Sequence, residues 1–232
     1  MLEAVIFDMD GVIVDSHPAH REAWRMFFGT LGRSVSDAEL DFVLDGRKRG
    51  EILRHFLGEL SEEAMAEYGK RKDEYFRKAS LQISPLPGVL KFMQTLANAG
   101  IAVAVATSAS ESRTRHTLEY LHLVGTISVV VTGDDVILGK PDPSIYSLAC
   151  ERLSIAPGYA LAVEDAVSGI EAARRAGLTC IGVASHQSPD KLKTAGAAFV
   201  IRDFLSLSLS RLERFLLYHG TIRSPHTATL HY

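Results

Sequence analysis

The sequence predicts an α/β fold, an open parallel sheet with crossover helices that is interrupted near its start by an all-helical insert. Three observations predict it. A short apolar strand, Val5-Ile6-Phe7, runs straight into Asp8-Met9-Asp10-Gly11, where glycine lets the chain leave the sheet. From about Pro18 to Leu81 the apolar residues follow helical periodicity. After Ser84-Pro85-Leu86-Pro87-Gly88, short buried strands alternate with helices, as in a parallel sheet.

The elements follow in order. Pro18 suits a first helical position, and Ser36-Asp37-Ala38-Glu39 and Ser61-Glu62-Glu63 read as helix starts. Further strands are expected at Ile101 to Ala106, Val129 to Val131, Ala160 to Val163 and Cys180 to Val183. Gly100 and Gly177 stand where helices end with a left-handed residue, which supports helix-then-strand order at both places. A last helix is expected from about Leu205 to Tyr218, followed by a polar, aperiodic stretch, His219 to Tyr232, read as a loose tail. The domain reading is a core of residues 1–15 and 84–218 with a helical insert at 16–83.

Composition narrows the function classes. The 232 residues are 47% hydrophobic and 23% charged, ordinary for a soluble globular protein. No apolar run reaches the roughly 18 residues of a membrane span, and the start lacks the features of a secretory signal, so a cytoplasmic protein is expected. Cys150 and Cys180 are too far apart for a C-x-x-C metal pair and are read as reduced core thiols. A net charge of -3 and a pI near 6.3 give no global attraction to nucleic acid or to an anionic membrane. Any selectivity for phosphate must then be local.

Chemistry is expected at the carboxyl ends of the strands, where open parallel sheets bind ligands. Asp8 and Asp10, two apart in extended chain, can address one site; taken alone, such a pair is more often a turn with a helix cap than a catalytic pair. The next strand ends in Thr107-Ser108, hydroxyls able to hold a phosphate oxygen, although Ser108 or Ser110 can also cap the helix near Glu111. Gly139-Lys140-Pro141-Asp142-Pro143 holds a lysine between a flexible and a rigid residue, fit to neutralise a transferring phosphoryl group. Glu164-Asp165 supplies adjacent carboxylates suited to a hard cation such as magnesium; capping of the next helix by Asp165 explains one acid and not two.

These motifs, in this order, resemble the haloacid dehalogenase superfamily, in its branch of phosphatases and sugar phosphomutases with a helical cap inserted after the first motif. The matching residues are Asp8-Met9-Asp10-Gly11-Val12 with Asp15-Ser16, then Thr107, Lys140, and Glu164-Asp165 with Ser168-Gly169-Ile170. The resemblance implies a Rossmann-like core with an all-helical cap domain. It implies Asp8 as nucleophile, Asp10 as acid and base, and Mg2+ held by Asp8, the Asp10 carbonyl, Asp165 and, directly or through water, Glu164. Thr107 and the Ser108 amide hold phosphate oxygens in this scheme, and Val14 to Ser16 with Ser84 to Gly88 are the cap hinges. Dehalogenation is disfavoured, because dehalogenating members lack the second aspartate seen here as Asp10.

In the cap, His20, Trp24, Gly46, Arg47, Arg49 and Lys72 lie at or near positions that reach substrate in sugar-phosphate members. Trp24 shares a helix face with Phe27 and Phe28 and is equally a core residue, and most of the Arg47-Lys48-Arg49 and Lys70-Arg71-Lys72 runs should be solvated. The expected activity is hydrolysis of a small phosphorylated metabolite, a sugar phosphate, by a monomer or weak dimer. The alternatives are a β-phosphoglucomutase-type mutase and a non-catalytic metabolite-binding protein on the same fold.

Overall fold

Ala4–Phe7 forms β1, whose four residues are fully buried because it pairs on both edges and is covered on both faces. The computed structural model describes residues 2–80 and 83–218; the expected tail at 219–232 lies outside them. Parallel partners of β1 are β2 (Ala102–Ala106) and β4 (Ala160–Glu164), with Phe7 level with Val105 on one side and Val163 on the other. β3 (Val129–Val131), β5 (Thr179–Val183) and β6 (Phe199–Ile201) complete the six-stranded sheet in the order β3-β2-β1-β4-β5-β6. Strand order reverses between β1 and β4, which opens a crevice at their carboxyl ends.

Alternation along the strands sorts two layers. Val5, Phe7, Val103, Val105, Leu161 and Val163 face α5 (Val89–Asn98) and α10 (Leu209–Tyr218). Apart from Ile6 the intervening residues of these strands are small, Ala4, Ala104, Ala106, Ala160 and Ala162, and the layer includes Tyr146 and Ala149 of α7 (Ser144–Leu153) and Ile170 of α8 (Val167–Arg175). Alanines on this face bring those two helices close to the sheet. Cys150 and Cys180 are free and buried in the same layer.

Between β1 and α5 stand α1 (His17–Gly29), α2 (Asp37–Val43), α3 (Arg49–Leu57) and α4 (Glu62–Ala79). Their own core is aromatic: Trp24, Phe27, Phe28 and Phe56 with Leu40 and Leu53. Pro18 sits in the first turn of α1, Ser36 makes a full capping box with Glu39, and Ser61 accepts from the Ala64 amide. Those starts follow the sequence reading. Two elements do not: α9 (Pro189–Ala195) and β6 were not foreseen, and the last helix begins at Leu209 rather than near Leu205. Leu205 is exposed while Leu207 is buried, so this segment docks by single side chains before the helix starts.

The loop between α2 and α3 is fastened to the sheet side. Ser168 donates its hydroxyl to the Asp45 carbonyl, and Ser108 Oγ donates to the Gly46 carbonyl at 2.6 Å. Lys48 Nζ donates to the Val136 carbonyl at 2.6 Å. Gly46 has φ +70, a left-handed turn that presents its carbonyl to Ser108.

Gly169 in α8 is a tight packing point near the crevice, since a Cβ there would meet Glu164 Oε1 at 1.9 Å. Gly169→Ala is expected to destabilise by about 1–3 kcal/mol or more through overpacking. Gly29→Ala, where nothing lies within 4 Å, should instead stabilise by up to about 1 kcal/mol from helix propensity. Urea unfolding of both variants checks the contrast, and equal effects would contradict it.

Candidate active site

Asp8 follows β1 directly, and its amide donates to the Val163 carbonyl at 2.9 Å, which sets its carboxylate beside the end of β4. Lys140 Nζ reaches Asp8 Oδ1 at 2.6 Å, Glu164 Oε1 at 2.5 Å and the Ala106 carbonyl at 3.3 Å. One ammonium therefore ties together the ends of β1, β2 and β4. Lys140 and Glu164 are buried behind Asp8, and a cis peptide joins Lys140 to Pro141. Glu164 is fully engaged: Tyr146 donates to Oε1 at 2.8 Å, and the Asp165 and Ala166 amides donate to Oε2 at 3.0 and 3.2 Å. The acid that takes the amides before α8 is thus Glu164, and Asp165 is left to face the crevice.

Asp8, Glu164 and Asp165 bring one carboxylate oxygen each within 4.8 Å of one another. Burial raises the Asp8 carboxyl well above its ordinary value, and Glu164, Asp165 and Asp10 add to this against the pull of Lys140. Burial opposes charge on Lys140 too, but Asp8 and Glu164 outweigh it and hold the ammonium charged. Lys140 stands between Asp8 and Glu164, with Asp165 beside them. An all-oxygen cluster of this kind suits a hard divalent cation.

Asp10 is heavily partnered as well. Its Oδ1 accepts from Ser16 Oγ at 2.6 Å and from Arg113 at 2.8 Å, and its Oδ2 accepts from Arg113 at 2.5 Å. Burial would raise its carboxyl, but Arg113 and then His20 hold it well below the usual range. Behind it runs a chain of donors: Lys72 Nζ lies 3.2 Å from His20 Nδ1, and His20 Nε2 lies 3.3 Å from Asp10 Oδ1. Burial, with Lys72 beside it, pushes His20 down to about 3, so the ring is neutral. A neutral ring in this chain accepts from Lys72 at Nδ1 and donates to Asp10 from Nε2, a tautomer assigned from the network. Burial also pushes Lys72 down to about 7, with Arg113 contributing.

The remaining expected residues divide between the two walls of a cavity of about 380 Å³. On the sheet side Thr107 is buried and its Oγ1 accepts from the Ala109 amide at 3.2 Å. Ser110, not Ser108, caps α6 (Glu111–Tyr120), and Ser108 spends its hydroxyl on Gly46. On the helical side Arg49 pairs with Asp73 at 2.5 Å. Trp24 stacks on Phe28 within the aromatic core and touches the cavity wall at its edge. Arg47 lies over the Phe42 ring, 4.6 Å from its centroid.

Arg113, His17 and His186 escaped the sequence reading, and Ser16, read there as a motif and hinge residue, proves to be a partner of Asp10. Nothing local separates Arg113 from Arg115, which pairs with Glu111 on the surface. His186 lies just beyond β5, so the strand-end rule could have flagged it. His17 and His186 both turn to Asp165 Oδ2, at 2.6 and 2.9 Å.

Known proteins resemble this chain in sequence and fold. A family model described as haloacid dehalogenase-like hydrolase matches residues 2–177. The phosphorylated carbohydrates phosphatase of Thermotoga maritima is 34% identical over 205 residues, covering 87% of this chain and 94% of that protein. The β-phosphoglucomutase of Bacillus subtilis is 30% identical over 220 residues, covering 91% and 94%. The crystal structure of CbbY from Rhodobacter sphaeroides in complex with phosphate superposes with a TM-score of 0.79 at 30% identity, over 92% of this chain and 100% of that one.

Lys72 gives the site a measurable signature. Its folded pKa near 7 lies below the 10.5 of a free lysine, so between those values the unfolded chain binds a proton that the folded one has released. Stability then rises with pH across this window, and the cost of burying the charge is fully present below about pH 7. Lys72→Met removes that dependence. The melting temperature of the variant minus that of the parent should be highest near pH 6 and fall steadily toward pH 10; a flat difference would show that Lys72 titrates normally.

Proposed function

Since the chain belongs to the haloacid dehalogenase-like hydrolase family, we propose that it is a phosphatase that releases phosphate from a small phosphorylated metabolite, a sugar phosphate, through an aspartyl-phosphate on Asp8. The observation that carries this reading is the Asp8 carboxylate, on the cavity wall with Lys140 fixed behind it at 2.6 Å and Asp10 beside it in sequence. The same reading assigns a cytoplasmic location, where both thiols stay reduced. No helix among the described residues is long and apolar enough to cross a membrane.

In the first step an Asp8 oxygen attacks phosphorus, the bond to the sugar oxygen breaks, and Asp10 gives that oxygen its proton. In the second step water attacks the aspartyl-phosphate, Asp10 takes its proton, and the acyl phosphate bond breaks to release phosphate and restore Asp8. The Arg113 contact favours the carboxylate form of Asp10, the form needed in the second step. Thr107 and the Ser108 amide hold the other phosphate oxygens, and positioning is most of what this chemistry requires. A magnesium-class ion fits the oxygen donors of Asp8, Asp165 and the Asp10 carbonyl, with Glu164 behind them, and when bound supplies the positive charge that lets a carboxylate approach a phosphate. The four-helix insert acts as a cap that excludes water from the cavity while His20, Trp24, Gly46, Arg49 and Lys72 face the sugar.

Hydrolysis is favoured over the mutase alternative by the helical wall. A mutase must grip a second phosphate there, yet Arg49 is committed to Asp73 and Lys72 carries a weakened charge. Relatives of both kinds exist, a phosphatase and a β-phosphoglucomutase.

Asp8→Asn should abolish phosphate release while leaving the fold intact, as read by circular dichroism, because an amide is a very poor nucleophile; activity above a few per cent would remove Asp8 from the mechanism. Lys140→Ala should lower the rate by about 10²- to 10³-fold. With β-glucose 1-phosphate and a trace of glucose 1,6-bisphosphate, free phosphate should form at least as fast as glucose 6-phosphate. The reverse, lost in Arg49→Ala, would replace the phosphatase reading with the mutase.

A further inference from the structure

We propose that His17, Asp165 and His186 form a binding site for a borderline divalent cation such as Zn2+, one that shares Asp165 with the all-oxygen cluster but differs from it in donor set. Three separate segments build it: the first residue of α1, the residue after β4 and the loop after β5. His17 Nε2 lies 2.6 Å and His186 Nδ1 2.9 Å from Asp165 Oδ2, and the two ring centroids are 3.8 Å apart.

Hydrogen bonding alone explains this poorly. Ser185 Oγ donates to the same oxygen at 3.1 Å, so three donors compete for one atom with two lone pairs. Two ring N–H groups would then face one another across that oxygen, while His17 Nδ1 and His186 Nε2 are buried with no hydrogen-bond partner. A cation between the rings takes a lone pair from each facing nitrogen and removes the competition at Asp165 Oδ2, with the ring N–H groups then on His17 Nδ1 and His186 Nε2. Two imidazole nitrogens and one carboxylate oxygen are a zinc-type donor set, which magnesium does not favour.

The 2.6 and 2.9 Å separations are those of hydrogen bonds, so an ion enters by parting the rings from the carboxylate. A Cβ on Gly11 would sit 1.8 Å from Asp165 Oδ2 and 2.2 Å from His17 Nε2, so main chain closes one side. His17 and Asp165 line the cavity on the other, which gives an ion its entry. Neither ring has an outer partner, and each such loss weakens metal binding by about 10- to 100-fold; the site is therefore expected to be of micromolar affinity. Because Asp165 cannot serve both donor sets fully, occupancy by Zn2+ competes with magnesium.

The test uses the full chain stripped with EDTA and titrated with Co2+ alone, followed by visible absorption, then with Zn2+ alone by calorimetry. One equivalent should bind, with the intense absorption of a low-coordinate, nitrogen-containing Co2+ site. His17→Gln and His186→Gln should each weaken binding by about tenfold or more, whereas Asp8→Asn, which removes a donor only from the oxygen cluster, should leave the Co2+ spectrum and affinity within about threefold. His186→Gln, on a loop, decides the matter should His17→Gln fail to fold. Unchanged binding in His186→Gln, or loss of binding in Asp8→Asn as complete as in the histidine variant, would overturn the site. The proposed phosphatase activity is not needed for any of these readouts, so the two readings fail separately.

Discussion

The rest of the site depends on one buried ammonium. Lys140, with its side chain wholly removed from solvent, is held between Asp8 and Glu164, carboxylates on adjacent strands. Burying such a charge is costly unless every partner is in place, and removing one partner of a buried pair typically costs about 3–5 kcal/mol. Each neighbouring choice follows from that constraint. Tyr146 and two backbone amides complete Glu164, Gly169 gives its carboxylate room, and the alanine face of the sheet lets α7 and α8 close over it. Asp8 is thereby aimed at the crevice by a group that never reaches the cavity itself.

The four strand-end motifs were legible because each is local: a carboxylate, hydroxyl or lysine directly after an apolar run. Fold class was legible for the same reason, since period-two strands and period-3.6 helices are written in short windows. What escaped is nonlocal. Arg113 reaches Asp10 across 103 positions of sequence, and Ser168 reaches Asp45 across 123. Short elements escaped as well: β6 has three residues and α9 seven, too few for periodicity to stand out, although Ser188 caps α9 and Gly196 ends it in the expected way. Near Leu205 the apolar pattern runs on where the helix does not, because Leu207 is buried from a turn.

Around Asp10 the charges are arranged in opposition to those around Asp8. Asp8 shares one cation with Glu164, while Asp10 has a two-point contact from Arg113 and the support of Ser16 and a neutral His20. Two carboxylates two residues apart are thus pushed in opposite directions by their surroundings. The family to which the chain belongs contains both phosphatases and phosphomutases, and among its relatives here the two activities occur at similar identity.

The fastening of the loop between α2 and α3 bears on how such proteins diverge. Three of its acceptors are main-chain carbonyls, Asp45 and Gly46 on the loop and Val136 on the opposite side, and a fourth is the Asp45 carboxylate, which takes the Ser168 amide at 3.2 Å. Carbonyls survive any substitution of the side chain above them. Other residues flanking this turn can therefore drift through many sequences without losing the closed geometry, provided the glycine with φ +70, Lys48 and the two serines persist. Selection on this stretch can act on ligand preference alone, so lineages that acquire new substrates should show change concentrated in the turn's side chains and stasis at Ser108 and Ser168.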